Sequence, residues 1–343
     1  MLSRVGDLPA ERESQINWRG ASAIVMGLFS PPPPPPAPPA RSEMMSVVVP
    51  GVILACAALC VYNANMGVHA PTARLLAWSR VSSRDVLPRN VFQFVGFAIN
   101  IVSVAVPGRF DSDVDPVNMT FPWPTLFAPA GFAFAIWGVI YLGELVGMAV
   151  LASSRSIAIA AEPASRAWLC ANIAQALWCM SFRPWALSRL WLSSACLAAT
   201  AASLLASQKQ LLAMRPALDT TGRDGLLWAL LVWPRSLHTG WVTAACLVNV
   251  NAWAGKAGVG PANAFATAVL SLIGAIALAD VYAAAGLSCA AAAIAWALFA
   301  VSKGMPNGKD GLALGQPALD GLATATAFTA ACTMCDIVVR NLI

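Results

Sequence analysis

Residues 121–144 read FPWPTLFAPAGFAFAIWGVIYLGE, and the reading of this stretch decides the fold. A Pro-rich turn leads into an apolar run that meets no charge before Glu144, enough chain to form most of a membrane span. Trp137 and Tyr141 lie four residues apart and therefore share a helix face. Glu144 follows on a similar face. Gly131, Gly138 and Gly143 are expected to let neighbouring helices approach closely.

The remainder of the chain has the same character. Its 343 residues are 58% hydrophobic and 11% charged, with a mean hydropathy of +0.68. A soluble domain carries about 25% charge, so an ordinary cytosolic enzyme is excluded and a multi-span membrane protein is expected. From residue 91 onward there are eight candidate spans: 91–106, 128–152, 167–182, 190–207, 228–254, 263–281, 283–302 and 318–337. Short stretches holding Pro107, Pro163, Pro184, Pro216, Pro261, Pro306 and Pro317 separate them. Lipid tolerates no open sheet edge, and no alternating barrel pattern occurs, so the spans read as α-helices. The predicted fold is an all-α polytopic transmembrane bundle of about eight spans behind a disordered N-terminal extension.

The N-terminal ninety residues read differently. Residues 1–46 mix charges with PPPPPPAPP at 31–39, which favours extended polyproline II and a disordered spacer over a packed core. Residues 47–62 form an apolar core of signal-peptide length ahead of GVHA, and residues 71–90 are rich in Arg and Ser with the single acid Asp85. Residues 47–90 thus read either as a signal-plus-transit presequence of the kind that addresses complex plastids, or as an extra span with a basic flank. Arg74, Arg80, Arg84 and Arg89 share a side with Arg155, Arg166, Lys209, Arg215 and Arg223 if the positive-inside rule holds.

Charge and side-chain inventory narrow the function. The net charge of +5 forms no basic stripe, so nucleic acid is not an expected partner. His69 and His238 are too far apart to suggest a multi-His metal site. Most of the nine cysteines sit singly in apolar runs, and Cys332 and Cys335 form one CTMC pair on a helix face. No nucleophile elbow, phosphate loop or metalloprotease motif occurs, and the expectation is a protein that is not an enzyme.

Three segments carry a resemblance. In 121–144, Pro129, Ala130, Gly131, Phe134, Ile136, Trp137, Gly138, Ile140 and Tyr141 match a PAGxxFxIWGxIY pattern. In 233–253, WPRSLHTGWVTAACLVNVNAW, the spacing of Pro234, Gly240, Trp241, Ala244, Ala245 and Asn249 fits a second pattern, and WLCANIAQALW at 168–178 supplies Asn172 and Trp178. Together they resemble the TspO/MBR family of tryptophan-rich sensory or translocator proteins, in its longer bacterial and algal form, over residues 91–255. Residues 256–343 add up to three helices. The chain departs from the compact five-helix form in having Ala135 and Ile136 where that form places a Pro, and Gln175 where it places an Asn.

The resemblance implies a hydrophobic, planar or steroid-like ligand such as a tetrapyrrole, no resident cofactor, a sensory, regulatory or transport role, and often a homodimer. Trp137, Tyr141, Glu144, Asn172, Trp178, Trp241 and Asn249 are the candidate ligand residues. Of the thirteen tryptophans, Trp123, Trp185, Trp228 and Trp233 read as an interfacial belt, whereas Trp137, Trp178, Trp241 and Trp253 read as pocket walls or packing. Glu144 and Asp280 are acids inside spans, which by default mark function, with Asp320 and Asp336 in the last span. Asn172, Gln175, Asn249 and Asn251 are alternatively interhelical hydrogen-bond glue, and Arg235 and His238 are expected at the lipid headgroup level. A proton-coupled transporter using Glu144 or Asp280, and a scaffold without a small ligand, are the other functional readings.

Overall fold

Each of the eight predicted spans corresponds to a long helix in the computed structural model, which describes residues 83–111, 123, 125–215, 222–304 and 316–342. The helices are α1 (Ser83–Ala105), α2 (Ile136–Ser153), the short α3 (Arg155–Ala161), α4 (Ser165–Ser181), α5 (Trp191–Met214), α6 (Gly222–Lys256), α7 (Pro261–Ala284), α8 (Ser288–Gly304) and α9 (Gln316–Leu342). A 3-10 turn over Gly131–Ala135 leads into α2. No strand occurs among the described residues. The readings of 1–46 and of nearly all of 47–90 lie outside them, although α1 already begins at Ser83.

Composition alone accounts for three membrane spans. Gly131–Ser153, Pro261–Ala284 and Ala318–Val339 are long and apolar enough to cross by themselves, while Val91–Ala105 and Ser288–Gly304 are shorter apolar helices. The inner helices α4, α5 and α6 carry Asn172, Gln175, Gln208, Arg235, His238 and Asn249, all of them buried. Polar groups in a bilayer are tolerated where they face the bundle interior and find partners there. Large apolar side chains such as Val139, Leu142, Leu270, Ile273 and Phe328 point outward instead.

The helix order places α4 and α6 at the centre. α4 packs along α1 and α5, and α6 packs along α5, α2, α8 and α7. Beyond α6, α8 is covered by α9, and α7 touches α6, α8 and α9. Two turn glycines at positive φ, Gly258 (73°) and Gly286 (78°), end α6 and α7 in a conformation that β-carbon residues resist. After each, an amide reaches back five residues, Val259 N–H to the Ala254 carbonyl and Leu287 N–H to the Tyr282 carbonyl.

Close helix contacts are made at glycines, though not at all of those expected. A β-carbon on Gly143 would stand 2.6 Å from Cγ of Pro234, so α2 leaves room for the proline ring inside α6. Gly147 meets Leu231 one turn on. The tightest approaches bring Gly240 of α6 onto the Ala290 backbone of α8, and Gly304 of α8 onto the backbone of Ala128–Ala130. Gly138 faces open space and mediates no approach, contrary to expectation, because its side of α2 lies between the exposed Val139 and Leu142.

Candidate functional site

Aromatic side chains from three helices converge at one end of the bundle. Phe134 comes from the 3-10 turn that leads into α2, Trp137 from the start of α2, Trp178 and Phe182 from the end of α4, and Trp241 from the middle of α6. Trp137 lies edge-to-face with Trp241 at 6.1 Å and stacks on Tyr141 at 5.2 Å. Phe134 meets Trp241 edge-to-face at 5.8 Å, and Trp178 stacks on Phe182 at 6.0 Å. Such offset and edge-on pairs are the favoured geometries of aromatic quadrupoles. With Pro129, Ala244, Val248 and Ala297 they line a slot of about 30 Å3, small beside the roughly 300–1,000 Å3 of an open ligand pocket.

Polar groups mark the edges of the slot. Asn249 accepts a hydrogen bond from the Trp178 indole N–H at 3.3 Å and another from the Ser193 hydroxyl. Trp241 is 3% exposed, and its indole N–H has no hydrogen-bond partner among the described residues. Buried donors are almost always paired, so this one has capacity to spare. Towards the outside, a cleft of about 530 Å3 runs past Val106, Pro107, Arg109 and Phe132 and shares Asp111, Phe134 and Trp137 with the slot. Arg109 donates to Asp111 at 2.7 Å and holds its guanidinium 5.4 Å above the Trp178 ring.

On the inner side the slot adjoins a buried polar network. Asn172 Nδ2 donates to the Trp168 carbonyl at 2.9 Å, and Asn100 Nδ2 donates to Asn172 Oδ1 at 3.0 Å and to Gln175 Oε1 at 3.2 Å. Gln175 Nε2 donates to the Tyr141 hydroxyl at 2.9 Å. His238 sits between Gln175 Oε1, 2.6 Å from Nε2, and Glu144 Oε1, 2.8 Å from Nδ1. Its ring packs edge-on against Trp137 at 5.6 Å and Tyr141 at 6.3 Å. One turn earlier, Arg235 lays its guanidinium 4.3 Å over the Trp168 ring.

The family model for a TSPO-like protein matches residues 89–334. The chain belongs to the TSPO-like family. It is accordingly an integral membrane protein. The match continues through residue 255 and takes in α7, α8 and most of α9, so these helices fall within the family's extent. Neither the curated proteins nor the solved structures include a match.

In this TSPO-like chain the candidate residues fall into two adjoining groups. Trp137, Trp178, Trp241 and Asn249 line the slot, while Tyr141, Glu144 and Asn172 belong to the polar network behind it. Arg235 and His238, expected at the headgroup level, are buried inside the bundle, 2% and 1% exposed. Pro234 lies inside the predicted span 228–254; Gly143 accommodates its ring, and α6 continues past it to Lys256, carrying both side chains into the bundle. Trp253 is 45% exposed and lies off the slot, whereas Trp123 and Trp228, expected in the belt, are buried. Trp123 packs edge-on against Phe110 at 4.9 Å. Trp185 and Trp233 are exposed, as a belt requires.

Other sequence candidates lie elsewhere. Asp280 and Asp336 line a separate cleft between α7 and α9 with Cys332, remote from the slot residues. Among the described residues no group of three or more His, Cys, Asp and Glu is placed to hold a metal ion. Asn100 and Trp168 are members of the polar network that the sequence did not single out. Asn100, a polar residue within the charge-free run 91–106, is the signal that could have found the first.

Proposed function

We propose that this protein binds a flat, apolar ligand of tetrapyrrole or sterol-like type in the aromatic slot, in a sensory, regulatory or transport role rather than a catalytic one. The observation that carries this reading is the meeting of Trp137, Trp178 and Trp241 from three helices, the last with an indole N–H unpaired among the described residues. Aromatic walls with few polar groups suit a planar apolar occupant, and the Trp241 N–H asks for a ligand bearing an acceptor at its edge. Because the slot is far smaller than a pocket for a ligand of that size, the rings part for a ligand to enter. The cleft beside Phe134 and Trp137 is the entry this reading assigns. A homodimer and a plastid address in residues 47–90 belong to the same proposal, the latter tested by locating a C-terminally tagged chain.

Protoporphyrin titrated into the detergent-solubilised protein is expected to quench tryptophan emission saturably. Trp137→Leu and Trp241→Leu should each weaken binding about tenfold, as removal of one well-buried aromatic wall costs about 1–2 kcal/mol. Linear quenching, identical in wild type and variants, would mean partition into micelles and would end this reading. The buried Glu144–His238 pair favours a second one, a proton-coupled transporter, in which uptake requires that pair.

A further inference from the structure

The orientation of every amide in the polar network can be worked out from one fixed point. The Trp168 carbonyl can only accept, so the Asn172 atom bonded to it is the amino group and Asn172 Oδ1 is free to accept. Asn100 therefore donates to Asn172 Oδ1 through Nδ2, and the same Nδ2 requires an acceptor on Gln175, which is Oε1. His238 Nε2 faces that same oxygen at 2.6 Å and must carry a hydrogen. In neutral His238 the remaining nitrogen, Nδ1, is then a lone pair aimed at Glu144 Oε1, 2.8 Å away.

A lone pair and a carboxylate oxygen cannot rest at that distance without a proton between them. The pair thus holds one proton, either on the carboxyl or on the imidazole, and the geometry is the same in both cases. Loss of that proton leaves no good arrangement. With the hydrogen on Nε2, Nδ1 and Glu144 repel; with the hydrogen moved to Nδ1, Nε2 and Gln175 Oε1 repel instead. Either outcome dislodges the imidazole on which Trp137 and Tyr141 rest edge-on.

The displaced carboxylate has a second partner at hand. Glu144 Oε2 and both Arg235 Nη atoms are buried without a hydrogen bond among the described residues, and the two side chains interact electrostatically. His238 faces Glu144, Trp137 and Tyr141 from α2 and Gln175 from α4; behind these stand Asn100 of α1 on Gln175, Arg235 beside Glu144, and Cys179 and Arg109 beside Tyr141. We infer that the Glu144–His238 pair is a proton lock on the slot, in which the bound proton holds Trp137 and Tyr141 closed and its release, with Glu144 turning to Arg235, admits the ligand. This inference rests on the slot being the ligand site. Ligand and proton then exclude one another, and one proton passes to bulk water for each ligand bound.

The test uses the full chain in lipid nanodiscs, with protoporphyrin as probe and the affinity followed from about pH 5.5 to 8.5. Over the pH range in which the unliganded pair still holds its proton, affinity is expected to rise about tenfold per pH unit, the slope of one linked proton, and to level off above it. Calorimetry in buffers of different ionisation enthalpy should count one proton released per ligand. Glu144→Gln places a permanent N–H donor opposite Nδ1, so it should keep the weak, locked affinity at every pH, with zero slope and no proton release. The wild-type slope and proton count do not depend on that variant folding. Saturable binding that is flat with pH in the wild type would overturn the lock and leave the slot reading intact. Absence of saturable binding at any pH would overturn the slot reading. The lock is then judged on ligand-free emission: a pH transition lost in Trp137→Phe and in Glu144→Gln upholds it, and no transition overturns it.

Discussion

Replacing Gly240 by alanine is expected to lower the stability of the bundle by about 3 kcal/mol, the upper end of ordinary overpacking. The added methyl would fall on the backbone of Ala290, where the carbonyl oxygen, carbonyl carbon and Cα all stand in its way. A flexible side chain could swing aside, but a helix backbone cannot. α8 is also tied at that level, because the Ala290 N–H donates to the Ser236 hydroxyl at 3.1 Å. The two helices must therefore separate along their contact. Thermal unfolding in detergent should show a midpoint lower by about 10 °C. Gly138→Ala is the matched control, since nothing lies within 4 Å of the added carbon and helix propensity favours alanine. Equal midpoints for the two variants would show that α6 and α8 are not in the contact described.

The second large effect is expected at Arg183. This side chain is completely buried and fans its donors over three backbone carbonyls: Nε to Cys179 at 2.7 Å, Nη1 to Pro107 at 2.6 Å and Nη2 to Val106 at 3.0 Å. It therefore ties the last turn of α4 to the end of α1, with the Phe110 N–H donating to the Phe182 carbonyl alongside. Hydrogen bonds from a charged donor contribute about 1.5–3 kcal/mol each, and stranded buried carbonyls cost a similar amount. Arg183→Met should accordingly destabilise the protein by about 4 kcal/mol. Arg183→Lys should recover only a small part, because a single ammonium cannot span three diverging acceptors. A lysine variant that melts with the wild type would refute the three-carbonyl clasp.

Much of the fold was legible because membrane helices announce themselves. Apolar length, proline punctuation and the exclusion of open sheets lead to eight helices whose positions agree with those described. The Trp137–Tyr141 face was equally legible: a four-residue spacing puts both rings on one side whatever surrounds them, and they do stack. Asn249 and Trp178 were singled out separately, and nothing in their spacing said that they bond to each other across 71 residues.

Which face of each helix points inward was not legible. In water an apolar face marks the core, but lipid is as apolar as a protein interior, so Trp253 and Trp241 look alike in sequence while one faces out and the other in. The same limit hid the burial of Trp123 and Trp228. Arg235 and His238 show the converse, for a charged side chain after a proline reads as a span edge unless the opposite helix offers a glycine to take the ring. Gly143 does so, and only packing could reveal it.

The sequence by itself determined that this chain is a helical membrane protein rich in tryptophan, because hydropathy and periodicity are local properties. The tertiary structure decided that Trp137, Trp178 and Trp241 close one slot and that Glu144 faces His238 behind it. Those relations join residues far apart along the chain, and they follow from which helices touch rather than from what any one helix contains.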